Sequence, residues 1–202
     1  MSTRSSSTLR QYGAALRTLL VLTVVLGLGY PLLMTGVAQV ALRHNANGSL
    51  VQRDGRTVGS SLIGQSFDGR LGYFQSRPSA AGEHGYDALA SSASNLGPEN
   101  ADLVTAIGER RAAAARADGV AAADVPPDAL LASGSGLDPH ISPAYAQLQV
   151  PRVARDRGLD VAVVERLVEQ HTQGRVIGFL GEPRVNVLEL NLALDRASEA
   201  AH

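Results

Sequence analysis

The residues best suited to chemistry lie in one short stretch, ASGSGLDPHISP at 132–143. It holds three serines, an aspartate and a histidine, the residue types of a Ser-His-Asp hydrolase, and two glycines whose backbone N–H groups are able to cradle a phosphate. A structural interpretation competes: Gly134 and Gly136 permit tight backbone, Asp138-Pro139 starts a turn, and Ser142-Pro143 starts a helix. The residues alone favour a turn between core elements, with an interaction surface as the alternative.

Spacing argues against a catalytic or metal centre. Ser135 lies in Gly-Ser-Gly, whereas a nucleophile elbow places glycines two residues to either side of its serine. A triad assembled from distant parts of the chain stays open, because triads are defined by geometry. The five histidines show no i, i+4 pair, and only Asp138 beside His140 and Glu83 beside His84 supply a neighbouring second ligand. We therefore predict no catalytic residue and no metal.

Composition excludes several function classes. The net charge of −1 and the 4% aromatic content disfavour a nucleic-acid partner, which needs a basic face or stacking rings. The chain has no cysteine, which excludes disulfides, thiolate nucleophiles and cysteine-bound zinc. It also has no lysine, which excludes a Walker A phosphate loop and Schiff-base catalysis.

An uncharged apolar run at 18–42 predicts one transmembrane helix, because a hydrocarbon core of roughly 30 Å needs about 20 helical residues. Arginines at 4, 10 and 17 precede it, with no acidic residue among them. The positive-inside rule then predicts a cytoplasmic N-terminus at 1–17 and an extracytoplasmic domain at 43–202 in the plasma membrane. A cleaved signal peptide is the alternative, disfavoured because its apolar region is shorter than this run.

Four residues inside this span have predicted packing roles. Pro31 lacks a backbone donor and is expected to kink the helix. Gly27, Gly29 and Gly36 allow close approach of partner helices in lipid. Glycine is common in transmembrane helices in any case, so the glycines alone leave this packing role open.

The outer domain begins with strand signals. Asp54-Gly55 predicts a tight hairpin between strands at 49–52 and 56–60. A further strand is predicted at 71–74, followed by an extended loop at 77–100.

Helices dominate the second half. One is predicted at 98–117, with Pro98 in its first turn and Gly119 as its stop. A second starts at Ser142-Pro143 and is expected to be kinked or divided at Pro151. A third, capped by Asp160, is expected to run to 173 and stop at Gly174. The run VNVLELNLALD at 185–195 is interpreted as a strand, so the domain is predicted to be α+β.

Ordered blocks along nearly the whole chain carry a resemblance. They are the N-terminal span with YPL at 30–32, GSLV at 48–51, VGSSLIGQSF at 58–67, YFQSRPSA at 73–80, YDALASSASNLGP at 86–98, ASGSGLDPHISP at 132–143, QVPRVARDRGL at 149–159 and GEPRVNVLELNLALD at 181–195. With these blocks the chain resembles the C-subunit family of the bacterial Kdp high-affinity potassium-transporting ATPase.

The resemblance implies a non-catalytic accessory subunit of a P-type ATPase complex. In that family a channel-like subunit binds and passes K+, a P-type subunit hydrolyses ATP, and a small subunit stabilises the assembly. The C subunit is anchored in the inner membrane by one helix, with its soluble domain outside. The lysine-free chain cannot carry the Asp-Lys-Thr-Gly-Thr phosphorylation motif of the pump subunit.

The family is also described as a catalytic chaperone that raises the ATP affinity of the pump subunit. Because ATP is cytoplasmic and the glycine-containing loop is predicted to lie outside, we expect no direct ATP contact and no cofactor held by this chain; an effect on ATP would act through the complex. Within the matching blocks, structural or interface roles are assigned to Arg77, Asn95, Ser133, Gly134, Gly136, Asp138 and His140. A membrane-anchored outer hydrolase and an envelope binding module are the alternative functions.

Overall fold

The computed structural model describes residues 3–201, so Met1, Ser2 and His202, which belong to the predicted segments 1–17 and 43–202, lie outside the described residues. The chain divides into two compact units, one ending at Ser49 and one beginning at Leu50. The first unit contains helices α1 (Thr3–Val24), α2 (Tyr30–Ala41) and α3 (Arg43–Ala46). The second contains β1 (Leu50–Arg53), β2 (Arg56–Ser60), α4 (Ala101–Asp118), β3 (His140–Ile141), α5 (Pro143–Arg157), α6 (Val161–His171), β4 (Thr172–Gln173), β5 (Arg184–Asn186) and α7 (Val187–Ala201).

The first unit confirms a single apolar N-terminal helix. Its stretch from Thr8 to Ala41 is long and apolar enough to cross a membrane. Between α1 and α2 the residues Val25–Gly29 form a π-helix that ends two residues before Pro31. A proline ring crowds the carbonyl four residues earlier, and a wider turn makes room for it. The distortion predicted at Pro31 takes this form, and the chain stays helical through it.

The β1–β2 hairpin confirms the first strand prediction to within a residue. The two strands pair antiparallel, with Arg53 opposite Arg56. The turn residues Asp54 and Gly55 have φ of +51° and +73°, the positive values that an Asp-Gly pair predicts in a tight hairpin turn.

The predicted helix ends were mostly correct, with three corrections. Asn100, and not Pro98, starts α4, because its side-chain oxygen accepts hydrogen bonds from Asp102 N at 2.8 Å and Leu103 N at 3.2 Å. Pro151 does not divide α5, which runs unbroken from the Ser142 cap to Gly158. Helix α6 ends at His171, before Gly174, because Thr172 and Gln173 leave it to form β4 against β5.

The strand interpretation of 185–195 was wrong beyond its first two residues. Strand β5 ends at Asn186, whose side-chain oxygen accepts a hydrogen bond from Glu189 N at 3.1 Å, as a helix-capping side chain does. Helix α7 then buries residues 187, 190, 191, 194 and 195, which is helical spacing. Residues 188 and 192 are also buried, so the apolar residues of α7 alternate in part. This partial alternation of Val and Leu made the segment resemble a strand.

The strand predicted at 71–74 is absent, and residues 61–100 contain no helix or strand. Side-chain amides take the place of a neighbouring strand. Asn191 accepts from Phe74 N at 2.9 Å and donates to Phe74 O at 3.0 Å. Gln149 accepts from Gln75 N at 2.6 Å and donates to Gln75 O at 3.3 Å. Side chains of α5 and α7 thus satisfy the backbone groups of residues 74 and 75 in place of a neighbouring strand, and Phe74 is buried without sheet partners.

The core confirms an α+β domain. Three strands form an antiparallel sheet in the order β3-β5-β4, and α5, α6 and α7 each contact β5. Val185 of β5 and Val164 of α6 are fully buried, and Phe74 of the extended segment packs into the same cluster. The loop 132–143 therefore enters the core through β3 and is fixed at its C-terminal end by the sheet.

Candidate functional site

Hydrogen bonds fix the backbone of the loop 132–143 against residues 79–92. The carbonyl of Ser135 accepts hydrogen bonds from Ser92 N at 3.0 Å and Ser91 Oγ at 2.9 Å, and the carbonyl of Gly136 accepts one from Ser79 Oγ at 2.5 Å. Gly136 has φ of +67°, and a Cβ there would lie 2.5 Å from the Ser92 oxygen. Glycine is therefore required at 136, as predicted for tight backbone.

Gly134 does not share this requirement. Its φ is outside the positive region, and a Cβ built on it would meet nothing within 4 Å. The prediction that both glycines permit tight backbone therefore holds for Gly136 alone. The neighbouring Ser133 is buried, and its hydroxyl lies 3.4 Å from that of Ser135, which accepts from Leu137 N at 3.1 Å.

Asp138 is the centre of a charged cluster that joins three predicted interface residues. One carboxylate oxygen accepts from His140 N at 3.0 Å and lies 3.2 Å from His140 Nδ1. The other accepts from Arg77 Nη1 at 3.2 Å. Burial by itself would raise the pKa of Asp138, but the hydrogen bonds from the His140 ring and backbone outweigh it, and the pKa is lowered. The carboxylate is therefore ionised and is paired within the domain.

Arg77, Asp138 and His140 line one shallow polar cleft of about 310 Å³. Its other lining residues are Asp128, Ile141, Ser142, Glu182, Pro183 and Arg184. Three carboxylates and two guanidinium groups are among the lining residues, and Glu182 also pairs with Arg175 at 3.0 Å. Asp128 is also paired, since it accepts from Ser142 N at 2.6 Å and from Ser142 Oγ at 3.0 Å. The charges of the cleft therefore largely compensate each other.

A second cavity of about 420 Å³ also has Arg77 in its wall, together with Gln75, Tyr86 and Arg110. Tyr86 donates a hydrogen bond to the Arg77 carbonyl at 2.5 Å, and burial raises the pKa of its hydroxyl to about 12, so it stays protonated at neutral pH. Gln75 Oε1 and Arg77 Nε are buried without a protein partner. Buried polar atoms of this kind are normally satisfied by ordered water.

The remaining predicted residues lie elsewhere. Asn95 is exposed, has φ of +53°, and is not among the residues that line the cleft. Gly27, Gly29, Pro31 and Gly36 belong to the first unit, where Gly27 and Gly29 lie in the π-helical segment. A Cβ at Gly36 would meet nothing within 4 Å. Within residues 3–201 no group of three or more His, Asp or Glu side chains is arranged to hold a metal ion.

Sequence reasoning missed three buried polar residues whose side chains hold the backbone of residues 71–75. Arg152, 1% exposed at its side chain, donates to Asp118 Oδ1 at 2.7 Å, to Tyr73 O at 3.0 Å and to the Leu71 carbonyl. Gln149 and Asn191 are equally buried. The available signal was an amide or guanidinium on the buried face of a helix, where a polar group needs a specific partner.

A sequence model of the family described as "KdpC: K+-transporting ATPase, c chain" matches residues 12–196. A protein of Kineococcus radiotolerans named potassium-transporting ATPase KdpC subunit is 58% identical over 198 residues, covering 98% of this chain and 100% of that protein. Proteins of the same name from Sorangium cellulosum and Methylococcus capsulatus are 58% and 54% identical, covering 91% and 93% of this chain and 96% and 98% of their own lengths.

The fold defines the class of protein: one apolar helix able to span a membrane, followed by one α+β domain. The chain belongs to the KdpC family of K+-transporting ATPase c chains, and so to a potassium-transporting ATPase complex with partner subunits. The resemblance predicted from the sequence blocks is confirmed over nearly the whole chain.

Proposed function

We propose that the chain is a non-catalytic accessory subunit that stabilises assembly of an ATP-driven potassium uptake complex. Its partners in this proposal are a channel-like subunit that carries K+, a P-type subunit that hydrolyses ATP, and a small stabilising subunit. The chain then holds no cofactor of its own, and both ATP and K+ are handled by partners. The observation that carries the proposal is the family match across residues 12–196.

The site geometry supports a structural and interface role for the loop. Asp138 is engaged by Arg77 and His140, while the hydroxyl of Ser133 is next to that of Ser135. The loop serines and the Asp138–His140 pair therefore make separate sets of contacts, unlike the continuous Ser-His-Asp chain of a hydrolase. The loop's polar groups maintain its own shape, and what it offers to a partner is the surface of the cleft.

The orientation in this proposal is a cytoplasmic N-terminus and an outer α+β domain, supported by arginines 10 and 17 before the uncharged apolar run at 18–42. The cysteine-free chain allows a clean test in sealed right-side-out membranes with an impermeant maleimide. Leu89→Cys, at a 99% exposed site, is expected to be labelled directly, whereas Leu9→Cys is expected to need permeabilised membranes. The reverse pattern would place the domain in the cytoplasm and contradict the orientation.

This orientation also governs any effect on ATP. With the domain outside, a change in ATP affinity acts through a conformational equilibrium of the whole complex, because linkage couples distant sites. The labelling experiment therefore also tests the indirect route: a cytoplasmic domain would permit direct contact with the nucleotide.

Assembly is tested by affinity purification of the full-length chain from mild-detergent extracts of its own membranes, after growth in scarce potassium. We expect a polytopic channel-like protein and a P-type ATPase to be recovered with it and identified by mass. A variant truncated after residue 49 serves as the control for binding through the first unit alone. Recovery of the chain by itself, from membranes that contain both other proteins, would contradict the proposal and favour an outer hydrolase or an envelope binding module.

A further inference from the structure

Residues 174–182, here termed the apolar hairpin, present four large hydrophobic side chains to solvent. Val176 is 54% exposed, Ile177 75%, Phe179 70% and Leu180 51%. All four lie within five consecutive residues. A contiguous apolar patch of this kind on a folded domain marks an interaction site.

The apolar hairpin is held in one conformation. Val176 and Leu180 exchange two backbone hydrogen bonds, of 2.8 and 3.0 Å. Gly178 has φ of +84°, which suits glycine, but Ile177 has φ of +47°, which is unfavourable for a β-branched residue. The domain's core contains none of these four side chains, so core packing does not account for the strain. A fixed conformation lowers the entropy lost when the tip binds a partner.

The charges around the apolar hairpin fit a protein partner better than a lipid surface. Arg175 and Glu182 close its base with an ion pair of 3.0 Å, which cancels both charges. A membrane-inserting tip gains affinity from several basic residues near anionic headgroups. Here Arg184 is the one further basic residue within the adjoining strand β5, and the remaining carboxylates and guanidinium groups of the neighbouring cleft are equal in number.

The apolar hairpin is continuous with the polar cleft. Glu182 at its base lines the cleft together with Pro183 and Arg184, in the same wall as Arg77 and Asp138. An exposed apolar centre beside paired polar groups has the composition of a protein–protein interface, with a hydrophobic core and a polar rim.

We propose that the apolar hairpin inserts into a concave apolar surface of a partner subunit of the potassium-transporting complex, with the polar cleft as the rim of that contact. The proposal rests on the accessory function proposed above and specifies the surface that carries it. Phe179 is its central anchor, because an exposed aromatic side chain fills a pocket with large contact area at low entropic cost.

Site-specific photocrosslinking identifies the occupant directly. The full-length chain carries a photoreactive phenylalanine at 179 in its own membranes, and adducts are identified by mass. We expect an adduct with another subunit of the complex. The same probe at Val104 of α4, which is 57% exposed, is the matched control and is expected to give a weaker adduct or none. An adduct at 179 with lipid or with a second copy of this chain, or none, would overturn the proposal.

Substitution supplies the quantitative test. Phe179→Ser is expected to lower recovery of partner subunits about tenfold or more, as loss of an interface anchor does, while the urea unfolding midpoint of the chain alone stays unchanged. Val104→Ser is expected to leave recovery unchanged. Equal recovery with Phe179→Ser and with the unsubstituted chain would overturn the hairpin contact only. Failure of the unsubstituted chain to recover any partner would instead overturn the proposed function.

Discussion

Replacing Arg152 by methionine is expected to lower the free energy of unfolding of the α+β domain by about 3–5 kcal/mol, the usual cost of leaving a buried charge without its partner. Arg152 and Asp118 are 1% and 4% exposed at their side chains and lie 2.7 Å apart. The substitution also removes the donors to the carbonyls of Leu71 and Tyr73. The measurement is the urea unfolding midpoint of the full-length chain in mild detergent, read by proteolysis of the opened domain.

Two further variants separate the buried pair from a general effect of arginine. Arg155→Met, on the same helix, removes an exposed partner of Asp156 and is expected to change the unfolding free energy by less than about 0.5 kcal/mol. The double variant Asp118→Leu with Arg152→Met is expected to regain part of the loss, because no unpaired charge remains. A loss for Arg152→Met no larger than for Arg155→Met would contradict the assigned role.

The pH dependence of the Arg152→Met variant has a defined sign. Burial raises the pKa of Asp118, and the hydrogen bond and charge of Arg152 oppose that rise. Without Arg152 the folded-state pKa of Asp118 lies further above its unfolded value, so the folded state takes up the proton first as pH falls. The stability deficit of the variant is therefore expected to be largest at neutral pH and to shrink in acid.

Gly136→Ala is expected to destabilise the domain by about 2–3 kcal/mol. A left-handed conformation costs an alanine about 1 kcal/mol or more relative to glycine. The added Cβ would also lie 2.5 Å from the Ser92 oxygen and 2.8 Å from Ala81 N, both backbone atoms of the packed segment. The loop must then move away from that segment, which weakens the hydrogen bonds to Ser135 and Gly136. The same urea measurement checks this.

Gly134→Ala is the matched control two residues away. Because its Cβ would meet nothing within 4 Å and its φ is ordinary, the unfolding free energy is expected to change by less than about 0.5 kcal/mol or to rise slightly. Equal effects at 134 and 136 would show that the packing against residues 81 and 92 does not constrain the loop.

Local sequence signals predicted this fold well where the cause of a structure is itself local. Asp54-Gly55 identified a hairpin turn, Ser142-Pro143 identified a helix start, and Gly119 identified a helix end, because each acts through φ or a single cap. The α+β class also followed from the order of these elements. Pro151 does not divide α5 as one of its two predicted effects would have it, because a missing N–H within a helix is tolerated where buried neighbours such as Val150 and Val153 hold the helix in place.

The failures lie where distant residues decide the structure. The segment 71–74 has a strand-like composition, but its partners are Arg152 and Asn191, and those of the next residue are on Gln149; no local pattern connects these side chains to it. For the site, the sequence identified Arg77, Asp138 and His140 separately. Their joining in one cleft depends on an ion pair across 61 residues of chain. The apolar hairpin was overlooked because its apolar residues are unusual only in being exposed to solvent, and the sequence does not show exposure.

The side-chain amides that hold residues 74 and 75 also set an order of events during synthesis. Phe74 is bound by Asn191, 117 residues further along the chain, and Gln75 by Gln149, 74 residues further. Residues 61–100 have no helix or strand to form in advance. Phe74 leaves the ribosome early but gains this contact only when helix α7 has been made, since non-local contacts must wait for the whole loop to close. Nascent chains that stop before residue 191 therefore lack the backbone partner of a residue completed long before it.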